Sequence, residues 1–138
     1  MDSDWCYREV PHTADLRLIV RGKSYREIFG HSAAGLHHLL RCKPASQAVQ
    51  EEYLVNLQAH DLETLLVMWL NEIIYLCEER RICPSLFTIR EVTGNTLSAT
   101  VAGRRPWRTH RVIKAATFHD LAVVRMEPGY QVTLTFDV

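Results

Sequence analysis

The sequence lacks an excess of either charge: Lys plus Arg equals Asp plus Glu at 16 each, so the formal net charge is zero. That argues against a chain that grips nucleic acid through a globally basic surface. No run approaches the roughly 20 apolar residues that a membrane-spanning helix needs. The start, Met1-Asp2-Ser3-Asp4, is acidic and has neither the basic nor the apolar region of a signal peptide. A cytoplasmic protein with no membrane contact is therefore expected. Cysteine is scarce, and Cys6, Cys42, Cys77 and Cys83 lack the paired spacing of a zinc site. Reduced thiols are the simplest expectation in that compartment. There is no nucleophile elbow, P-loop, GxGxxG or HExxH motif, and no repeat or low-complexity tract.

What is present fits one domain, since 138 residues suffice to bury a real core. The dominant stretch runs from Asp61 to Glu79 and reads as one long helix. Asp61 suits the N-cap, and Glu63 puts negative charge in the first turn, where the helix dipole favours it. At 3.6 residues per turn Leu62, Leu65, Leu66, Trp69, Leu70, Ile73, Leu76 and Cys77 share one wide face. Met68 stands among the polar residues opposite. A second helix opens at Ser24-Tyr25-Arg26-Glu27, a capping box, and stops before Lys43-Pro44.

Around the helices lie strand-like alternations. A short one covers Trp5 to Val10, interrupted by Pro11-His12-Thr13-Ala14, and another covers Asp15 to Arg21. Ala45 to Gln50 reads as a polar connection, and Glu51 to Ala59 as a strand. Leu86 to Val92 and Thr96 to Ala102 form a hairpin about Thr93-Gly94-Asn95, with Gly103 to Trp107 as a loop. Val112 to His119, Asp120 to Glu127 and Tyr130 to Val138 complete the set. Two main helices packed on a largely antiparallel sheet of about six to eight strands make this an α+β domain spanning residues 1–138.

The candidates for chemistry begin with Asp15 and Asp137. Each lies on the side of its strand opposite the apolar face. If the two strands are neighbours, the carboxylates can meet and hold a hard cation, although two aspartates supply only part of its oxygen shell. On spacing alone, solvated strand-end acids are by far the commoner outcome, since parity gives a face and not a partner. His12 beside Asp15 suits a ligand or a general acid–base, or else a turn in which Thr13 and Asp15 satisfy local backbone groups. Lys114, one of three lysines against thirteen arginines, either pairs with a carboxylate such as Asp15 or Asp137 or extends its head to the surface. His119 falls on the opposite face of a strand from Lys114. Glu72 reads as a solvated residue on the outer face of the long helix, which Met68 suggests is partly covered. Arg104-Arg105-Pro106-Trp107-Arg108 suits a phosphate backbone with Trp107 for stacking, while zero net charge favours a solvated loop or a protein contact.

Five segments in order resemble one family. His12-Thr13-Ala14-Asp15, Ala33-Ala34-Gly35-Leu36, the stretch from Leu65 to Glu72, Lys114 to His119, and Phe136-Asp137-Val138 are similar to the archeases. The resemblance implies a small cytoplasmic partner of the GTP-dependent, manganese-using RNA ligase that seals tRNA halves and repairs broken RNA. Such a partner is a protein cofactor and not an enzyme. It speeds ligase guanylylation and permits multiple turnover, meeting RNA only indirectly through the ligase. It further implies a divalent cation, calcium above all with magnesium or manganese as alternatives, held by Asp15 and Asp137 with the backbone carbonyl of Val138. Lys114 is the matching lysine, and His12, His119 and Glu72 are expected to serve the partner or the site. The chain departs from the family pattern at Met68, where an acidic residue is usual, and at Phe118, where tyrosine is usual. Two other functions stay open: a metal-dependent phosphoester hydrolase with His12 or His119 as base, and a general chaperone-like interaction module.

Overall fold

The computed structural model describes residues 5–10 and 15–138. In chain order the elements are β1 (Tyr7–Val10), β2 (Leu16–Gly22), α1 (Tyr25–Leu40), β3 (Lys43–Gln58), α2 (Leu62–Arg80), β4 (Cys83–Val92), β5 (Thr96–Thr109), β6 (Ala115–Thr117), β7 (Val123–Met126) and β8 (Gly129–Asp137). Both helix starts follow from local chemistry. Ser24 Oγ accepts from the Glu27 N–H at 3.2 Å, while Glu27 Oε1 accepts from the Lys23 N–H at 2.8 Å. Asp61 Oδ1 accepts from the Thr64 N–H at 2.8 Å, and that bond holds its carboxyl below the usual carboxylate range. Each satisfies backbone donors that the first turn leaves open.

Eight strands and two helices meet the α+β expectation, with the strands divided between two sheets. One runs β1-β2-β8-β6, with β7 also paired to β8; the other runs β3-β5-β4. Every pairing among the described residues is antiparallel. Both helices contact both sheets. Their shared core gathers Leu18 and Phe136 from the first sheet, Val101 and Ile89 from the second, Phe29 from α1, and Trp69 and Leu70 from α2. Trp69 is fully buried; its indole N–H donates to the Phe29 carbonyl at 3.1 Å and its ring meets Phe87 edge-on.

Several sequence expectations are corrected. Ala45 to Gln50 is not a connection but the first part of the edge strand β3, which follows β5 through register irregularities at Lys43/Pro44 and Pro44/Val49. Its polar side chains face solvent, so the stretch mimics a loop. Gly103 to Trp107 continues β5, and Gly103 is required there because a Cβ would collide with the Cys83 carbonyl. The strands expected over Val112 to His119 and Asp120 to Glu127 shrink to β6 and β7, since the chain turns at Asp120 in the left-handed region (φ 54°).

The expectation of four thiols also fails. Cys42 and Cys83 form a disulfide with Cα atoms 5.5 Å apart, joining the chain just beyond α1 to the chain just beyond α2. Their spacing of 41 residues carries no signal; only the meeting of two helix ends brings them together. Cys77 remains a thiol on the apolar face of α2, where burial first and the neighbouring Glu78 second push it up to about 12. Closing a loop of that size constrains the unfolded chain, so Cys42→Ser should lower stability by about 2–4 kcal/mol. Urea unfolding with and without reductant checks this: the wild type should lose the same amount on reduction, whereas a reductant-insensitive midpoint would mean the bond contributes nothing.

Candidate functional site

Strands β2 and β8 pair from Gly22↔Tyr130 to Leu16↔Phe136. One position further on each strand stand Asp15 and Asp137. Residues directly opposite in an antiparallel pair have Cβ atoms about 4.5–5.5 Å apart, so continuing this register by one residue would set Asp15, just before β2, opposite Asp137. Leu16, Leu18 and Val20 with Val132, Leu134 and Phe136 turn to the core, and both carboxylates take the opposite face.

On the other side of β8, Ala115 pairs with Asp137, and the Lys114 N–H donates to the Asp137 carbonyl at 2.8 Å. The Lys114 side chain is exposed and makes no ion pair within 4 Å among the described residues. Of the two outcomes open to it, it takes the surface. Val138 follows β8 and is half exposed. His12 lies outside the described residues.

Sequence reasoning missed the cationic side of the site. Arg17, two residues along β2, places Nε 3.9 Å from Asp15 Oδ1 and Nη2 3.4 Å from Asp120 Oδ2. His119 Nε2 is in turn 3.2 Å from Asp120 Oδ2. Thus His119 reaches the site through Asp120 and Arg17 and not through Lys114. No local signal marks these partners, because the turn after β6 brings Asp120 back across 103 residues of sequence.

Asn71 also has a role that sequence reasoning did not assign. Its side-chain amide accepts from the Ala116 N–H at 2.8 Å and donates to the Ala116 carbonyl at 3.4 Å. It therefore acts on the outer edge of β6 as a neighbouring strand would, which fixes the amide orientation. Glu72 beside it is half-buried, as is Met68. Phe118 is 57% exposed, so the hydroxyl that a tyrosine would carry there would face solvent. Asn71→Ala leaves two buried backbone groups unpaired and should cost about 1–3 kcal/mol. Hydrogen exchange reads it directly: the Ala116 amide should lose protection in the variant, and unchanged protection would refute the clamp.

The donor set offered by Asp15, Asp137 and the Val138 carbonyl is all oxygen, which fits a hard divalent cation. No cluster of three or more His, Cys, Asp or Glu placed for a metal occurs among the described residues, so carbonyls and water must supply the remaining ligands. Arg17 competes for Asp15, which makes for a modest site.

The Arg104–Arg108 segment differs from expectation in one respect. Trp107 has His110 on one side, ring centroids 4.4 Å apart, and Arg81 against it at 5.2 Å. Its indole N–H donates to the Cys77 carbonyl at 2.7 Å. The tryptophan anchors β5 to the end of α2 and is not an open stacking platform.

Two helices against two antiparallel sheets, eight strands in all among the described residues, define a small α+β domain. The chain belongs to the archease family: residues 7–138 match the Archease protein family (MTH1598/TM1083). Protein archease of Methanosarcina barkeri is 30% identical over 143 residues, covering 96% of this chain and 95% of its own. Protein archease of Saccharolobus islandicus is 30% identical over 133 residues, covering 92% and 94%. The fold is shared with the solution structure of Methanobacterium thermoautotrophicum protein 1598 (TM-score 0.70, 18% identity, 96% of this chain and 99% of that one). It is shared also with the crystal structure of a Thermotoga maritima protein described as an archease and possible chaperone (TM-score 0.68, 23% identity, 95% and 96%).

Proposed function

We propose that this chain is a non-catalytic activator of a GTP-dependent RNA ligase in tRNA splicing and RNA repair, working in the cytoplasm, with a divalent cation, calcium by preference, between Asp15 and Asp137. The observation that supports the reading is the β2–β8 register, whose continuation by one residue would set the two aspartates of the family motifs opposite one another, with the Lys114 N–H bonded to the same strand end. A cation held there would neutralise both carboxylates and join β2 to the last strand, β8. The chain's own residues do the rest. Arg17 and Asp120 orient Asp15, the Lys114 backbone fixes Asp137, and Asn71 holds β6 so that Lys114 and His119 are presented outward.

The ligase is the partner, and guanylylation of the ligase is the step affected. No described helix is long and apolar enough to cross a membrane, consistent with a partner met in solution. The test is the single-turnover rate of GMP transfer to the cognate ligase, with and without an equimolar amount of this chain. Acceleration is expected, and an unchanged rate rejects the reading. A general chaperone would instead protect unrelated clients from aggregation with no dependence on Asp137.

A further inference from the structure

Net neutrality conceals a separation of charge. Arg41 and Lys43 lie just beyond α1, and Arg80 and Arg81 close α2. The Cys42–Cys83 bond holds these two ends together. The far half of β5 runs across them carrying Arg104, Arg105 and Arg108. Its Thr109 pairs with Lys43, its Trp107 N–H donates to the Arg81 carbonyl at 2.8 Å, and Arg105 Nε donates to the Arg80 carbonyl at 2.9 Å. Arg111, whose N–H donates to the Leu40 carbonyl at 2.7 Å, completes the group.

Eight of the chain's 16 cationic residues thus lie on segments that meet at one end of the molecule, with Arg111 Nη1 buried and Arg104 Nη2 donating to the Ala48 carbonyl at 3.2 Å. The acids nearest to them in sequence on β3 and α2 are Glu51, Glu52, Glu78 and Glu79. Of these, Glu51 lies 3.6 Å from Arg105 Nη1, and Glu78 is taken by His110 at 2.6 Å. Compensation of helix dipoles explains Arg41, Arg80 and Arg81. It does not explain Lys43 or the arginines of β5, which sit on strands.

Two residues separate Arg111 from Lys114, whose N–H donates to the Asp137 carbonyl.

We infer that this end of the chain binds the phosphate backbone of single-stranded RNA directly. Seven of the eight cations are arginines, whose forked donors match phosphate oxygens. With His110 and Arg81 packed against Trp107 and its N–H engaged, bases are not stacked and sequence is not read. Contact is to the backbone and therefore sensitive to salt. This goes beyond an RNA met only through the ligase, and the binding itself needs no ligase; only the choice of RNA as the source of the phosphates rests on the proposed function.

The experiment is fluorescence anisotropy of a labelled, unstructured 20-nucleotide RNA with the whole chain alone. Binding in the range of about 1–100 µM is expected, weakening steeply between 50 and 200 mM salt. The triple variant Lys43→Gln/Arg80→Gln/Arg108→Gln removes side chains that make no hydrogen bond or ion pair among the described residues, and circular dichroism checks its fold. It should bind at least tenfold more weakly, with the salt slope reduced by about 2, as expected for three lost contacts to single-stranded phosphates. The control Arg90→Gln/Arg125→Gln, on other surfaces, should bind as the wild type. No binding at 50 mM salt, equal loss in the control, or tighter binding to polyglutamate or to phosphatidylserine vesicles than to RNA would overturn the inference. So would loss of guanylylation stimulation measured without RNA in the triple variant, since the surface would then face the ligase. If the wild type binds RNA but fails to stimulate the ligase, the proposed function falls and this inference stands.

Discussion

Asp137→Ala is expected to abolish stimulation of ligase guanylylation, a loss of tenfold or more, while leaving the thermal transition nearly where it was. The structure separates the two effects. The Asp137 side chain is exposed, and surface substitutions of that kind usually move stability by no more than about 0.5 kcal/mol. What the fold uses at this position is the backbone carbonyl, which accepts from the Lys114 N–H at 2.8 Å, and alanine keeps it. The cation site, by contrast, would fall from two carboxylates to one. Calcium titration by calorimetry should therefore show binding to the wild type and none to the variant at the same concentrations. Asp15→Ala is a poorer probe, because Asp15 is half-buried and ion-paired with Arg17, so function and stability would fall together. A transition lowered by several degrees in Asp137→Ala would mean that the aspartate serves the fold.

The second large effect belongs to the core. Trp69→Ala should cost about 3–5 kcal/mol, as large-to-small changes of buried aromatics do. Against a total stability of roughly 5–15 kcal/mol, that leaves the protein close to unfolding. The site lies where both helices and both sheets meet. Removing the indole opens a cavity against Phe87 and leaves the Phe29 carbonyl without the indole donor at 3.1 Å. Trp69→Phe keeps part of the packing and loses one hydrogen bond to a carbonyl that keeps its partner within α1, so an intermediate cost is expected, about 0.5–1.5 kcal/mol for the bond. Urea unfolding of both variants checks the order. A cost below 1 kcal/mol for alanine would contradict the burial of this side chain.

The parts of the molecule legible in the sequence are those set by local chemistry. The caps at Ser24 and Asp61 fixed where both helices start, and the alternation from Tyr130 to Val138 fixed both faces of β8. Alternation also placed Asp15 and Asp137 away from the core. It gave them no partner, because which strands neighbour one another is decided by the whole fold. The same limit hid the Cys42–Cys83 bond, the return of Asp120 to Arg17, and the role of Asn71 at the edge of β6. Each of these contacts joins residues at least 41 apart in sequence. Glu51 to Ala59 alternates and reads as a strand, whereas the first part of β3, Ala45 to Gln50, escapes for a different reason: an edge segment with solvated polar side chains beside register irregularities shows no hydrophobic run. Net charge is a sum over the chain and carries no information on where the cations sit in the fold.

The central claim, activation of a ligase through the Asp15/Asp137 site, is tested most directly by counting RNA ends sealed per ligase molecule over a long incubation. With the wild-type chain present, product should exceed the ligase many-fold. With Asp137→Ala, it should stop near the level reached by the ligase alone. Equal product with and without the wild-type chain would contradict the account.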